Sequence, residues 1–392
     1  AAAAPPKPRV IVMHASVGSG HRSAAMAVAQ AFELLRDEAA AARAGIGDAA
    51  DGASRPDAPH DALAGVSVPE DLEVEVIDIL DWGRIVFDGD HAASLFTGAT
   101  RPIYDLTWRF TLTGRLLWAG GTAWSRIMYP AFTEHVREVR PLAIVCTHIT
   151  AANVAVGARM LSGLEFPIVS VPTDYETEGL WPHRCTDLFC VANESMAETL
   201  RPRRVPEEGI RITGIPTRED FRRTYDQRET RERLGLPQDK TVVLALAGAQ
   251  LPRPYVHFRD ALDKLLPYLH ALSDMHFVIV AGNDADYARH LRQECADLGL
   301  ANVSVLDYVE DMAALMAASD VIICKSGGLV VTECLCAQVP MILLGRAYGQ
   351  EKVNVRMLTS LGAAMHVTTS RELLDALRHI EKNPESIRSM LI

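Results

Sequence analysis

Short apolar runs alternate with longer amphipathic stretches along most of the chain. Residues 9–13 form the first apolar run, a glycine-rich turn follows, and an alanine-rich stretch typical of a helix covers residues 22–42. A strand, a glycine turn and a helix in this order usually open a doubly wound α/β domain, in which helices cover both faces of a parallel sheet. The pattern therefore predicts an α/β fold.

The same alternation occurs twice, and two such domains in succession would enclose a deep cleft. Strand-like runs of the first series lie at residues 72–79, 143–147, 168–172, 188–191 and 211–213, and those of the second at 242–247, 276–281, 303–306, 321–324 and 341–344. The turn at 214–216 closes the first series. We therefore place an N-terminal domain at residues 1–217, a second domain at 218–371 and a helical tail at 372–392.

Composition agrees with two soluble domains, since 392 residues are too many for one ordinary core. The net charge of −11 argues against nucleic acid as a partner and against bulk attraction to anionic lipid. Seven cysteines without a CxxC pair favour reduced, buried thiols and a cytoplasmic protein. We expect no signal peptide, because residues 1–8 lack an apolar core segment, and no membrane-spanning helix, because no apolar run approaches about 18–20 residues.

Two segments depart from the regular alternation. Residues 43–68 are rich in Ala, Gly, Asp and Pro without periodicity, which predicts a disordered surface insertion. Residues 101–132 combine several arginines with three of the five tryptophans, Trp108, Trp118 and Trp124. Such a segment is typical of a helix lying among lipid headgroups, or of a helix packed on the first sheet with arginines at its edge. The residues alone leave both interpretations open.

The first candidate site is the glycine-rich turn at residues 14–23, HASVGSGHRS. Its backbone N–H groups, including that of Gly20, would face a ligand at the start of a helix. His21 follows directly, and an imidazole there is suited to a general base, although a surface histidine is the alternative. Because Ser23 stands at the third glycine position, the dinucleotide fingerprint is missing and an NAD dehydrogenase is disfavoured.

The second candidate site is KSGGLVVTE at residues 325–333, directly after the apolar run VIIC. A strand that runs through Ser-Gly-Gly into a helix exposes backbone N–H groups, which form a phosphate site without a metal ion. Glu333, about one turn further on, has the carboxylate to accept both hydroxyls of a ribose. Its alternative role is to stabilise the first turn of the helix electrostatically.

The third candidate site lies at residues 345–354, where another strand-like run leads into a helix. Gln350, Glu351 and Asn354 carry amide and carboxylate groups suited to sugar hydroxyls. The alternative is an ordinary polar first turn.

Together these motifs resemble glycosyltransferase family 28. DYVEDM at 307–312, ASD at 318–320, KSGGLVVTE, Pro340 and GQEKVN at 349–354 resemble its C-terminal half in order and spacing. GSGHRS at 18–23, VPTDY at 171–175 and TGIP at 213–216 resemble its branch of monogalactosyldiacylglycerol synthases and processive diacylglycerol glucosyltransferases.

The resemblance implies the GT-B arrangement, in which two Rossmann-like domains face each other, with the acceptor on the first and a UDP-sugar on the second. His21 would be the base and Asp174 a supporting residue. The implied donor contacts are Ser326, Gly327, Gly328 and Leu329 for the diphosphate, Glu333 for the ribose, the backbone at Tyr308 and Val309 for uracil, and Gln350 and Glu351 for the sugar or diphosphate. In the loop at 247–254 two prolines remove N–H donors, so only Gly248 and Ala249 carry over.

The activity implied is an inverting, metal-independent transfer of a hexose from a UDP-sugar to a membrane lipid such as diacylglycerol, with no cofactor. The protein would bind the inner face of the cell membrane peripherally through residues 101–132. Three alternatives remain: a family-28 transferase for another lipid-linked acceptor, a UDP-sugar 2-epimerase, and a non-catalytic UDP-sugar-binding relative. An epimerase would need further acid and base carboxylates in the cleft, and the sequence does not identify them.

Overall fold

The computed structural model describes residues 7–43, 68–84, 124, 126–177, 180–248, 256–347 and 349–390. All but the two end residues of the predicted insertion at 43–68 lie outside these residues, as does most of the segment at 101–132, including Trp108 and Trp118. Ala249 lies outside them as well.

The first domain contains a parallel sheet in the order β2-β1-β3-β4-β5-β6. Its strands are β1 (Arg9–His14), β2 (Glu73–Asp78), β3 (Ala143–Cys146), β4 (Ile168–Ser170), β5 (Leu188–Val191) and β6 (Ile210–Ile212). Because β1 pairs with β2 on one side and β3 on the other, the winding reverses between β1 and β3. In open α/β sheets such a switch point opens a crevice at the carboxyl ends of the strands.

The apolar strands of the first domain are buried on both faces. Ile11 and Met13 pack on one side of β1, whereas Val10 and Val12 pack on the other. This two-sided burial explains why the strand is a continuous apolar run and not an alternating one. The described helices of this domain are α1 (Ser19–Arg43), α2 (Pro130–Val139), α3 (Ile149–Ser162) and α4 (Glu194–Leu200).

The second domain repeats this architecture with the sheet order β12-β11-β10-β7-β8-β9. Its strands are β7 (Thr241–Leu246), β8 (Met275–Val280), β9 (Val303–Leu306), β10 (Val321–Cys324), β11 (Met341–Leu344) and β12 (Ala364–Val367). Its helices are α5 (Gln227–Leu234), α6 (Val256–Leu265), α7 (Ala285–Asp297), α8 (Met312–Ala317), α9 (Gly328–Cys336), α10 (Glu351–Ser360), α11 (Ser370–Lys382) and α12 (Glu385–Arg388). Here the switch point lies between β7 and β10.

The C-terminal helix α11 packs on the second domain. Leu373, Leu377 and Ile380 are fully buried in the same apolar cluster as Val243 of β7. This buried face accounts for the amphipathic pattern of the predicted tail.

The two domains meet where α1 and α9 begin. A Cβ atom placed on Gly20 would lie 3.5 Å from the Cβ of Leu329, which is ordinary van der Waals contact. The two glycine-rich turns thus face each other across the cleft. Within the described parts of the chain, every helix falls short of the length and apolarity that crossing a bilayer requires.

Candidate active site

The predicted general base, His21, lies at the switch point of the first sheet and is held from two sides. Its Nδ1 lies 3.1 Å from the backbone oxygen of Thr147 and 2.8 Å from Oγ1 of Thr173. A carbonyl oxygen can only accept, so we assign the ring proton to Nδ1. Nε2 then keeps its lone pair and is the nitrogen that can take a proton.

The surroundings of His21 keep its ring neutral. Burial, followed by the positive charge of Lys325, lowers the pKa of His21 to about 4, although the hydrogen bond to Thr147 opposes this shift. The ring of His148 packs edge-on against it at 4.5 Å. His148 itself accepts a hydrogen bond from the backbone N–H of Thr150 and so caps α3. At neutral pH His21 can therefore act as a proton acceptor.

Across the cleft, α9 begins without a capping side chain of its own. Its N-cap is Gly327, whose backbone is extended. Ser326 and Gly328 are buried, and Leu329 faces Gly20. The N–H groups at the start of this nine-residue helix therefore point into the cleft, where the helix dipole favours an anion.

Asp174 comes from the first domain and binds this helix start. Its Oδ1 accepts hydrogen bonds from the backbone N–H of Gly328 at 3.2 Å and from Nδ2 of Asn354 at 3.1 Å. The side chain of Gln350 also hydrogen-bonds to it. In this arrangement the ring partner of His21 is Thr173, and Asp174 points to the second domain.

The motif at residues 345–354 packs against the motif at 325–333 and stabilises it. Asn354 is fully buried and donates a hydrogen bond to the backbone oxygen of Ser326 at 2.8 Å. Glu351, in the first turn of α10, is also buried. The structure therefore brings Ser326, Gly328, Gln350 and Asn354 together around one carboxylate.

Glu333 is half-buried on α9, one turn past the glycines. Burial raises the pKa of its carboxyl group to about 7, and the charge of Arg218 only partly offsets this. Arg218 also donates a hydrogen bond to the backbone oxygen of Glu310 at 3.2 Å. It thus links Glu333 to the turn that carries the predicted uracil contacts. In that turn Tyr308 is 61% exposed, and Val309 packs against the apolar core of the second domain.

Gly248 has a packing role that the sequence did not reveal. A Cβ atom on it would lie 2.5 Å from Cα of Gly282 and 2.6 Å from the carbonyl carbon of Ala281. The loop after β7 therefore lies directly on the loop after β8, and only glycine fits at position 248.

Four residues of the site were not assigned from the sequence. Lys325 interacts electrostatically with both His21 and Asp174, and it stood in a motif that was recognised without a role. Thr173 likewise precedes the assigned Asp174. Arg218 and the backbone of Thr147 carry no local signal, because their roles depend on contacts across the fold.

The C-terminal end of the segment at 101–132, which the structure describes, contributes to the apolar core of the first domain. Tyr129 and Phe132 are 2% and 0% exposed, whereas Ile127 is 63% exposed. A membrane contact through residues 101–132 therefore stays a prediction for the tryptophans that precede this end. Among the described residues, His, Cys, Asp and Glu form no group of three suited to a metal ion.

Two protein-family models match the chain. Residues 256–391 match the glycosyltransferase family 28 C-terminal domain, and residues 84–217 match monogalactosyldiacylglycerol (MGDG) synthase. The predicted resemblance to this family and branch is confirmed.

Individual relatives agree with these matches. A processive diacylglycerol beta-glucosyltransferase of Bacillus pumilus is 28% identical over 238 residues, which cover 59% of this chain and 59% of that relative. The chain thus matches less than two thirds of the length of this curated relative. Among solved structures, Acinetobacter baumannii MurG is 17% identical, with a TM-score of 0.52, and the match covers 98% of this chain and 93% of that one.

A structure of UDP-GlcNAc 2-epimerase from Neisseria meningitidis bound to UDP-GlcNAc is 13% identical, with a TM-score of 0.56 and coverage of 98% and 94%. At such identities the likeness concerns the fold alone. Together with the two parallel sheets, it confirms the predicted GT-B arrangement of two facing Rossmann-like domains.

Proposed function

We propose that the protein is a UDP-sugar-dependent hexosyltransferase whose acceptor is a membrane lipid such as diacylglycerol. The observation that carries this proposal is the meeting of two sites at one cleft. His21, neutral and held by Thr147 and Thr173, lies on one side. The start of α9, which has no capping side chain of its own, lies on the other side and is followed one turn later by Glu333.

The acceptor hydroxyl would react in one displacement. Its oxygen forms a bond to the anomeric carbon while its proton passes to Nε2 of His21. The bond between that carbon and the diphosphate oxygen breaks, and its electron pair leaves with UDP. A single displacement inverts the anomeric configuration, so an α-linked donor yields a β-glycoside. Thr147 and Thr173 hold the imidazole in position. This positioning matters because the rate of the displacement depends strongly on the orientation of the reacting groups.

The leaving group would be stabilised by the second domain. The negative charge that develops on UDP is stabilised by the backbone N–H groups at Gly328 and Leu329 and by the positive charge of Lys325. The carboxylate of Glu333 accepts hydrogen bonds from the ribose hydroxyls, and the turn at Tyr308 and Val309 binds uracil. In this proposal the transfer needs neither a metal ion nor a cofactor.

The lipid acceptor is inferred from the relatives. The family model that matches residues 84–217 is named for MGDG synthase, and the curated relative is named a diacylglycerol glucosyltransferase. Such an acceptor lies in a bilayer, so we place the protein peripherally at the inner face of the cell membrane.

The decisive experiment supplies vesicles containing diacylglycerol with UDP-glucose, UDP-galactose and UDP-N-acetylglucosamine in separate reactions, and identifies the lipids by mass spectrometry. We expect a hexosyl-diacylglycerol from one hexose donor. His21→Ala should lower kcat by about 10²–10⁴-fold, the usual contribution of a general base. UDP affinity should persist in this variant because the donor contacts lie on the other domain.

The matched control is His379→Ala, which removes an exposed histidine of α11 and should leave transfer unchanged. Formation of an epimerised UDP-sugar without any lipid product would show an epimerase instead. UDP binding without turnover of donor would show a non-catalytic binding protein.

A further inference from the structure

The start of α9, like that of α10, has no capping side chain from its own N-cap residue, and the N–H of Gly328 is satisfied from elsewhere in the chain. Helices α5, α7, α8 and α11 each begin after a residue whose own side chain accepts from the first turn, namely Asp226, Asp284, Asp311 and Thr369. Gly327, before α9, has no side chain to do this. The acceptor is the Asp174 carboxylate, which lies 154 positions away in the sequence and on the other domain.

The chain around Asp174 lies directly on this helix start. A Cβ atom on Gly328 would overlap the backbone oxygen of Thr173 and lie 2.7 Å from Cα of Asp174. The Asp174 carboxyl group therefore already occupies the hydrogen-bonding position of the Gly328 N–H in this arrangement. The helix start that the proposed function assigns to the diphosphate is already occupied.

Tyr175 binds the chain segment around Asp174 to helices α9 and α10. Its backbone N–H donates to Oδ1 of Asn354 at 3.2 Å, and its hydroxyl lies 2.8 Å from Oγ1 of Thr332 on α9. We call Thr173, Asp174 and Tyr175 the 173–175 strap. The strap joins the domains through hydrogen bonds to α9 and α10.

The charges at the strap match those that a phosphate would meet. Asp174 presents a carboxyl oxygen to one backbone N–H, two side-chain amides and the field of Lys325. These groups favour the charged form, although burial as the larger effect raises the pKa of Asp174. A phosphate oxygen has the same sign of charge and accepts the same hydrogen bonds.

We propose that Asp174 determines the donor affinity by acting as an internal competitor for the diphosphate site. Donor binding displaces the carboxylate from Gly328, Gln350 and Asn354, and the strap leaves the start of α9. This inference rests on the proposed function, because it assigns that helix start to the donor. The measured donor affinity is then the intrinsic one reduced by the fraction of molecules with the strap displaced.

Calorimetric titration with UDP tests the competition. Asp174→Ala should bind UDP at least about fivefold more tightly than the wild type, because the competing carboxylate is gone. Tyr175→Phe, which loses the bond to Thr332 but leaves every group of the diphosphate site in place, should bind about twofold more tightly. Uridine lacks the diphosphate, so its affinity should be the same for the wild type and Asp174→Ala.

The matched control is Glu207→Gln, which removes an exposed negative charge of the first domain that pairs with Arg201. Its UDP affinity should equal that of the wild type. If the wild type binds UDP and both strap variants bind it equally or more weakly, Asp174 does not compete and the inference is overturned. An equal gain for uridine would overturn the assignment to the diphosphate site.

The two proposals fail in different ways. No UDP binding by the wild type or by any variant would remove the proposed function, whereas equal binding by all would remove only the competition. Thermal unfolding of each variant shows whether it is folded. Tyr175→Phe decides the question if Asp174→Ala does not fold.

Discussion

At the scale of single residues, the pKa values of two groups of the cleft, His21 and Glu333, stand in the reverse of their usual order. Burial lowers the pKa of His21 to about 4 and raises that of Glu333 to about 7. Both shifts have the same cause, because burial disfavours the charged form of either group. The histidine is therefore neutral well below neutral pH, whereas the carboxyl group is only partly ionised at pH 7. Activity lost between pH 8 and pH 6 should therefore reflect protonation of Glu333.

This order leads to a prediction for donor binding. The ribose hydroxyls donate to the carboxylate form of Glu333, so binding favours deprotonation. As pH falls from 8 to 6 through the pKa of about 7, the Kd for uridine should rise by about tenfold. Titration with uridine avoids the ionisation of the UDP phosphate.

Glu333→Gln provides the control for this prediction. The amide cannot ionise, so the pH dependence should disappear, and the affinity at pH 8 should fall by about tenfold through loss of hydrogen bonds to a charged acceptor. A pH dependence that survives in Glu333→Gln would show that another group titrates.

At the scale of elements, the strands were the most predictable part of the fold. Strands β9, β10 and β11 begin and end where the predicted runs do. Strands β10 and β11 are buried throughout, and a strand buried on both faces needs a continuous apolar sequence. Strand β12, whose sequence AMHV includes a polar histidine, was not predicted. Like β9, it lies at an edge of the sheet, where one side needs no pairing.

The site was predictable only as far as its motifs are local. Gly328, Glu333 and Gln350 lie in the segments that follow β10 and β11, so their position at the cleft could be deduced from the order of elements. The hydrogen bond from Asn354 to Asp174 joins residues 180 positions apart, and no local pattern reports it. Arg218 was missed for the same reason.

The loop after β7 shows how a glycine can be required for packing. In Gly248→Ala the added methyl group would meet the backbone of Gly282, which cannot move aside as a flexible side chain could. We expect a loss of more than about 3 kcal/mol, beyond the usual range for overpacking, because the obstacle is main chain. Calorimetry should show the second domain unfolding roughly 6–12 °C lower.

Gly235→Ala is the matched control in the same domain. Gly235 ends α5 with a φ of 67°, and an added Cβ would meet nothing within 4 Å. Only left-handed backbone strain opposes this substitution, which costs about 1–2 kcal/mol. Equal losses in the two variants would contradict the close approach of the loops after β7 and β8.

At the scale of the whole molecule, function depends on how closely the two domains approach. The 173–175 strap and the contact between Gly20 and Leu329 both bring the start of α1 to the start of α9. In the proposed mechanism this closeness places His21 near the reacting carbon of the donor, and it also covers the proposed phosphate site. We therefore infer that donor entry needs a more open arrangement of the domains and that transfer needs a closed one.

Substitutions at Gly20 separate these two requirements. The Cβ of Gly20→Ala would lie 3.5 Å from Leu329, so this variant should retain activity. The larger side chain of Gly20→Leu would hold the domains apart. Its kcat should fall by about a hundredfold, because a displacement of about 1 Å can cost this much in orientation. UDP affinity should not fall, and small-angle scattering should give a larger radius of gyration. Full activity in Gly20→Leu would show that the two helix starts need not meet.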